Sequence, residues 1–144
     1  MRIALGSDER GELPAALERL LQHAGHTIAL FGALAPGDTD AWPSVGQSVG
    51  EAVASGRCET GIVCCWTGTG VSIAANKVKG VRAALCADAA TASGARTWND
   101  ANVLALSLRA TTPTVGEEIL SAWLAGSPTN DERYREMIDT LRDR

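Results

Sequence analysis

Five short apolar runs, at residues 2–5, 27–31, 61–64, 82–86 and 103–106, alternate with stretches of helical periodicity, and that alternation restricts the fold more than any other feature. The helical stretches fall at 12–24, 42–55, 71–78, 89–96, 115–125 and 130–143. Each link between strands is long enough for a right-handed crossover, so the strands should lie parallel in one sheet with helices on both faces. The expectation is a three-layer α/β/α Rossmann-like domain with a five-stranded parallel sheet. Its 144 residues suit a single domain spanning 1–144. Gly25, Gly56, Gly80 and Gly126 stand where helices should stop. Residues 32–40, with glycine, proline and aspartate, read as a loop. Val115, Ile119, Ala122 and Trp123 recur at helical spacing, which assigns Trp123 to the core. The last stretch, about 129–144, is highly charged, yet Met137, Ile138 and Leu141 form one apolar stripe. A terminal helix docked on its own domain or on a partner subunit is expected there.

Composition narrows the function classes. A net charge of −4 argues against non-specific nucleic-acid binding. No apolar run is long enough to span a bilayer. Met1-Arg2-Ile3-Ala4-Leu5 runs straight into Gly6 and Asp8, without the pattern of a signal peptide. The four cysteines, Cys58, Cys64, Cys65 and Cys86, have neither zinc spacing nor the density of a secreted scaffold. Reduced thiols in a cytoplasmic protein, with no metal and no cofactor, are the expectation.

The chemistry concentrates in Cys64-Cys65-Trp66-Thr67-Gly68-Thr69-Gly70, between the apolar run Gly61-Ile62-Val63 and the helical Val71-Ser72-Ile73-Ala74-Ala75-Asn76-Lys77. A thiol at the C-terminal tip of a parallel strand faces the crevice where open α/β sheets bind ligands. The glycines allow backbone N–H groups to approach an anion, and the new helix adds its positive end. Neighbouring residues in a strand point to opposite faces, so only one cysteine can line a site, and Cys65 is nearer the loop. The glycine spacing fits neither the dinucleotide fingerprint nor the P-loop, so no nucleotide is expected. Asp8, at the tip of the first strand, can hold a ligand hydroxyl, receive a proton, or simply cap the next helix. His23 and His26 flank a helix end and read as solvated surface.

Gly6-Ser7-Asp8, Cys65-x-Thr67-Gly68-x-Gly70, Ser72-Ile73-Ala74-Ala75-Asn76-Lys77 and Asn99-Asp100-Ala101-Asn102-Val103-Leu104-Ala105 together resemble the ribose-5-phosphate isomerase B and galactose-6-phosphate isomerase family across nearly the whole chain. The resemblance implies that Cys65 moves a proton between C1 and C2 of an aldose–ketose pair. It implies that Thr67 contacts the reacting oxygens and that N–H groups around Gly68, Thr69 and Gly70 hold an enediolate. Asp8 would bind sugar hydroxyls. Asn99 and Arg109 would approach from a neighbouring subunit, although Arg109 alone reads equally as half of a surface ion pair. The implied assembly is a homodimer or homotetramer, and the implied ligand a sugar or sugar phosphate.

Departures from the family pattern bear on substrate. Glu9 and Trp98 stand where the family has histidines, the second of which helps to open the sugar ring. Trp66 stands in place of a glycine, and Trp42, before Pro43, in place of a tyrosine. Arg133 and Arg135 lie near the family's phosphate-binding Arg-His-x-x-Arg but with different spacing, and Arg10 could offset the charge of Glu9. The tryptophans either fill space or reshape a carbohydrate pocket, since indole faces stack on sugars. The function expected is a metal-free aldose–ketose sugar-phosphate isomerase with a cysteine base, acting on an open-chain substrate such as a tetrose phosphate rather than ribose 5-phosphate. The alternatives are an isomerase or epimerase of another sugar, and a non-catalytic sugar-binding subunit.

Overall fold

The computed structural model describes residues 1–142 and 144. Its elements run β1 (Arg2–Ser7), α1 (Glu12–His23), β2 (Thr27–Gly32), α2 (Trp42–Ala54), β3 (Thr60–Cys65), α3 (Thr69–Asn76), β4 (Ala83–Leu85), α4 (Ala89–Asn99), β5 (Val103–Ser107), α5 (Pro113–Ala125) and α6 (Glu132–Asp139). The five strands are all parallel and ordered β2-β1-β3-β5-β4. This is the three-layer architecture that the alternation of elements implies, with no helix long and apolar enough to cross a membrane among the described residues.

The side-chain period of two divides the core into layers. Ile3, Leu5, Ile62, Cys64, Leu104 and Leu106 face α1, α4 and α5. Ala4, Val63, Cys65, Val103 and Ala105 face α2 and α3. Trp123 is in the first layer, 1% exposed, and its Nε1 donates to Thr60 Oγ1 at 3.0 Å, so the one polar atom of the indole is satisfied. In the second layer α2 and α3 meet along small residues. A Cβ on Gly46 would lie 2.7 Å from both Ala74 Cβ and Val71 O, and one on Gly50 3.0 Å from Val78 Cγ2. The two helices therefore approach at backbone distance.

Strand order fixes where a ligand can go. β1 and β3 are neighbours; α1 leaves β1 for one face and α3 leaves β3 for the other. The diverging connections open a crevice at the C-terminal ends of these two strands.

Several boundaries differ from the sequence expectation. The helix expected at 71–78 spans Thr69–Asn76, because Gly68, at φ 76°, turns the chain directly into it. The strand expected at 82–86 is the edge strand Ala83–Leu85; Asn102 Oδ1 accepts the Arg82 N–H and takes it out of the ladder. Gly25, Gly56 and Gly80 have the positive φ of helix-ending glycines, whereas Gly126 is extended at φ −79° and ψ 151°. The terminal helix starts at Glu132, where Asp131 caps it by accepting the Arg133 N–H, and ends at Asp139. Residue 143 of the expected 130–143 span lies outside the described residues. Its stripe divides: Ile138 is buried, while Met137 and Leu141 are each 51% exposed.

Candidate active site

Two strand tips are locked together at the crevice. Buried Ser7 donates its hydroxyl to Glu9 O at 2.6 Å and accepts the Glu9 N–H at 3.2 Å, which folds the chain back after β1. The Asp8 N–H donates to Cys64 O at 3.2 Å, so the Asp8 carboxyl sits beside the end of β3. Cys65 O accepts the Leu108 N–H at 2.9 Å, and Trp66 O accepts both the Arg109 N–H at 3.0 Å and Ser107 Oγ at 2.9 Å. The end of β5 thus clasps the loop that carries the thiol. Ser7 and Ser107 escaped the sequence reading; β5 was expected to end at 106, which left Ser107 in a loop with no signal of its own.

Gly68 makes the next turn. Its positive φ favours glycine, and a Cβ there would lie 2.6 Å from Leu85 Cδ1 and 2.9 Å from the Leu106 carbonyl carbon. α3 begins at once, with no side-chain cap, and its first backbone bond runs from the Ser72 N–H to Gly68 O at 3.2 Å. The N–H groups of Thr69, Gly70 and Val71 therefore have no intrahelical partner and face the crevice end of the helix. Thr67 and Thr69 join their hydroxyls at 2.7 Å just in front of them. The Trp42 indole lies against Gly70, where a Cβ would come within 2.9 Å of its ring.

Asp8, Trp42, Cys65, Trp66, Thr67, Thr69 and Gly70 line one cavity of about 340 Å³. Here Cys65 is the cysteine on the site face. Cys64 is fully buried in the opposite layer, and burial, with the charges of Cys65 and Asp8 adding to it, pushes its thiol up to about 12. Asp8 has an oxygen, Oδ1, that is buried without a hydrogen-bond partner. Burial raises the affinity of that carboxyl for a proton, the nearby charges of Glu9 and Asp40 raise it further, and a backbone hydrogen bond opposes them. Asp8 does not cap α1: the cap position is Gly11, with no side-chain hydrogen bond. A carboxyl with an unpaired oxygen, a thiol, two hydroxyls and open N–H groups can hold a polyol and move a proton on it.

The other residues expected at the site lie elsewhere in the protomer. Glu9 and Arg10 line a second cavity, of about 260 Å³, with Trp66, Leu108 and Thr111. Trp98 and Asn99, at the end of α4, line a groove with Tyr134 and Met137, and the Trp98 and Tyr134 ring centroids are 4.7 Å apart. Of the three tryptophans expected along the cleft, Trp42 and Trp66 are there and Trp98 is not. Arg109 is exposed just past β5, and Arg133 is exposed on α6 with its guanidinium 5.8 Å from the Tyr134 ring centroid. Among the described residues, no cluster of histidine, cysteine, aspartate and glutamate could hold a metal ion.

The profile of the Ribose/Galactose Isomerase family matches residues 3–141. The D-erythrulose-4-phosphate isomerase of Pectobacterium atrosepticum is 37% identical over 125 residues, covering 86% of this chain and 82% of that protein. The ribose-5-phosphate isomerase B of Escherichia coli is 34% identical over 141 residues, 97% of this chain and 93% of that one. Among solved structures, the ribose-5-phosphate isomerase B of Clostridium thermocellum superposes with a TM-score of 0.90 at 37% identity, covering 99% of this chain and 95% of that one.

Proposed function

From the premise that the chain belongs to the ribose/galactose isomerase family, and is an aldose–ketose isomerase of sugar phosphates, we propose that Cys65 is its base and an open-chain tetrose phosphate its substrate. The content of the cavity carries this reading. A thiol, two hydroxyls, a carboxyl, open helix N–H groups and two indoles meet there. Both imidazoles of the chain are at the other end of the sheet, where His26 Nδ1 lies 3.1 Å from the N-terminal amine and His23 closes α1.

Proton transfer then runs as follows. The Cys65 thiolate takes the proton from C1 of the ketose; the C1–H electron pair becomes the C1–C2 double bond, and the carbonyl pair moves onto O2. The N–H groups at the start of α3 and the Thr67 hydroxyl hold the resulting enediolate. Asp8 carries the hydroxyl proton between O1 and O2. The Cys65 thiol returns its proton to C2, and an aldose leaves.

Ring opening needs an acid and a base next to O5 or O4, and no imidazole is present to supply them. A tetrose 4-phosphate needs neither, because its phosphate occupies the oxygen that would close a five-membered ring. The relative named for erythrulose 4-phosphate supports the same substrate class. Trp98, Asn99, Arg109 and Arg133 stand outside the cavity of their own protomer, and in this reading a second copy of a homodimer or homotetramer brings them to it, the arginines meeting the phosphate. The test is a comparison of kcat/KM for erythrulose 4-phosphate and ribose 5-phosphate, with deuterium uptake from D2O as the record of proton abstraction. Tetrulose should be turned over more efficiently and take deuterium at C1. Equal or better turnover of ribose 5-phosphate overturns the substrate assignment.

A further inference from the structure

Trp66 is the one residue common to the two cavities at the strand tips. Its indole is 57% exposed, yet its backbone is fixed, since its carbonyl accepts two hydrogen bonds from the end of β5. The ring therefore stands on a rigid base between the cavity of about 340 Å³ that holds Cys65 and that of about 260 Å³ lined by Glu9 and Arg10. Other walls of the Cys65 cavity are closed differently. Trp42 is pressed against Gly70, and β3 forms the floor. Extra length in a bound sugar can go only where Trp66 now is.

Resting on the isomerase reading above, we propose that Trp66 sets the substrate length: its indole closes the reaction cavity after four carbons, and without it the two cavities join into one trough from Cys65 to Arg10. Arg10 is the only cation lining either cavity. A longer sugar phosphate that reached past the ring would place its phosphate near that guanidinium, which a four-carbon chain held at Cys65 leaves unused.

Erythrulose 4-phosphate and ribulose 5-phosphate make the test clean. In both ketoses the terminal oxygen is phosphorylated, so neither closes a five- or six-membered ring, and they differ by one CHOH group. The ratio of kcat/KM for ribulose 5-phosphate to that for erythrulose 4-phosphate is measured on the natural protein, Trp66→Ala and Trp66→Leu. Excluding or admitting one carbon in a pocket is worth about 10–200-fold. The ratio should rise by that order in Trp66→Ala and by less in Trp66→Leu, through ribulose 5-phosphate gaining rather than through erythrulose 4-phosphate alone losing. A natural protein that already prefers ribulose 5-phosphate overturns the length limit. So does a fall of both substrates together with an unmoved ratio, which would make Trp66 a general cover. Absence of deuterium exchange with either ketose overturns the isomerase reading itself. A thermal melt of each variant identifies loss of fold, and the milder Trp66→Leu keeps the ratio measurable if Trp66→Ala unfolds.

Discussion

Asp8→Asn should make the protein more stable at neutral pH and less active. The carboxyl has a buried oxygen with no partner, and burial and the charges of Glu9 and Asp40 raise its proton affinity above the ordinary value of 3.8. A buried acceptor left unsatisfied costs about 1–3 kcal/mol. Asparagine keeps the shape and one unsatisfied oxygen but removes the charge, so it recovers only part of that, about 1 kcal/mol. For a chain of this length the gain corresponds to a Tm rise of about 4 °C. The sign of the pH dependence follows from linkage. The native carboxyl binds its proton more readily than the unfolded one, so its penalty is fully present above the raised folded value. The penalty shrinks as pH falls through that value and is gone below 3.8. Scanning calorimetry at pH 7 and pH 4 should therefore show the gap between variant and natural protein narrowing in acid. Deuterium exchange with erythrulose 4-phosphate at pH 7 should fall in the same variant. A variant less stable at pH 7, or a gap that does not narrow, refutes the account of Asp8 as a carboxylate held at a cost. Undiminished exchange removes Asp8 from the proton path.

Cys65→Ala should lower isotope exchange by about 10²–10⁴-fold, the usual cost of a lost general base. Cys64→Ala should leave the pH profile of exchange unchanged, since a thiol pushed up to about 12 stays neutral throughout the assay range, and should cost about 1 kcal/mol of stability measured in urea. Light scattering at micromolar concentration should give a dimer or tetramer; a monomer with full activity would show that Trp98, Asn99, Arg109 and Arg133 do not act across an interface.

The parts of the fold set by local periodicity were legible in the sequence, and those set by distant contacts were not. Strand and helix alternation specifies a parallel three-layer domain, and a period of two sends Cys64 and Cys65 to different layers. The order β2-β1-β3-β5-β4 has no local signature. The glycine turn after β3 marked the site because its residues are contiguous. Trp42, by contrast, meets Gly70 only because α2 packs on α3, and Trp66 divides two cavities only because β5 ends beside it. Asp8 was equally plausible as a helix cap until Gly11 was found in that position. The spacing of Trp98 and Asn99 placed them at the end of α4 but carried no information on which cleft they would border.

The glycine seam between α2 and α3 has an evolutionary consequence. With backbones in contact at Gly46 and Gly50, Trp42, the open N–H groups and the thiol loop form one stiff block, like the fixed jaw of a vice. Nothing on that side can yield to a larger ligand without lifting a whole helix. Divergence in what the protein accepts is thereby channelled to the opposite jaw, the short stretch from Asp8 to Arg10 and the ring of Trp66. There one substitution can alter the grip while the proton-transfer apparatus keeps its alignment.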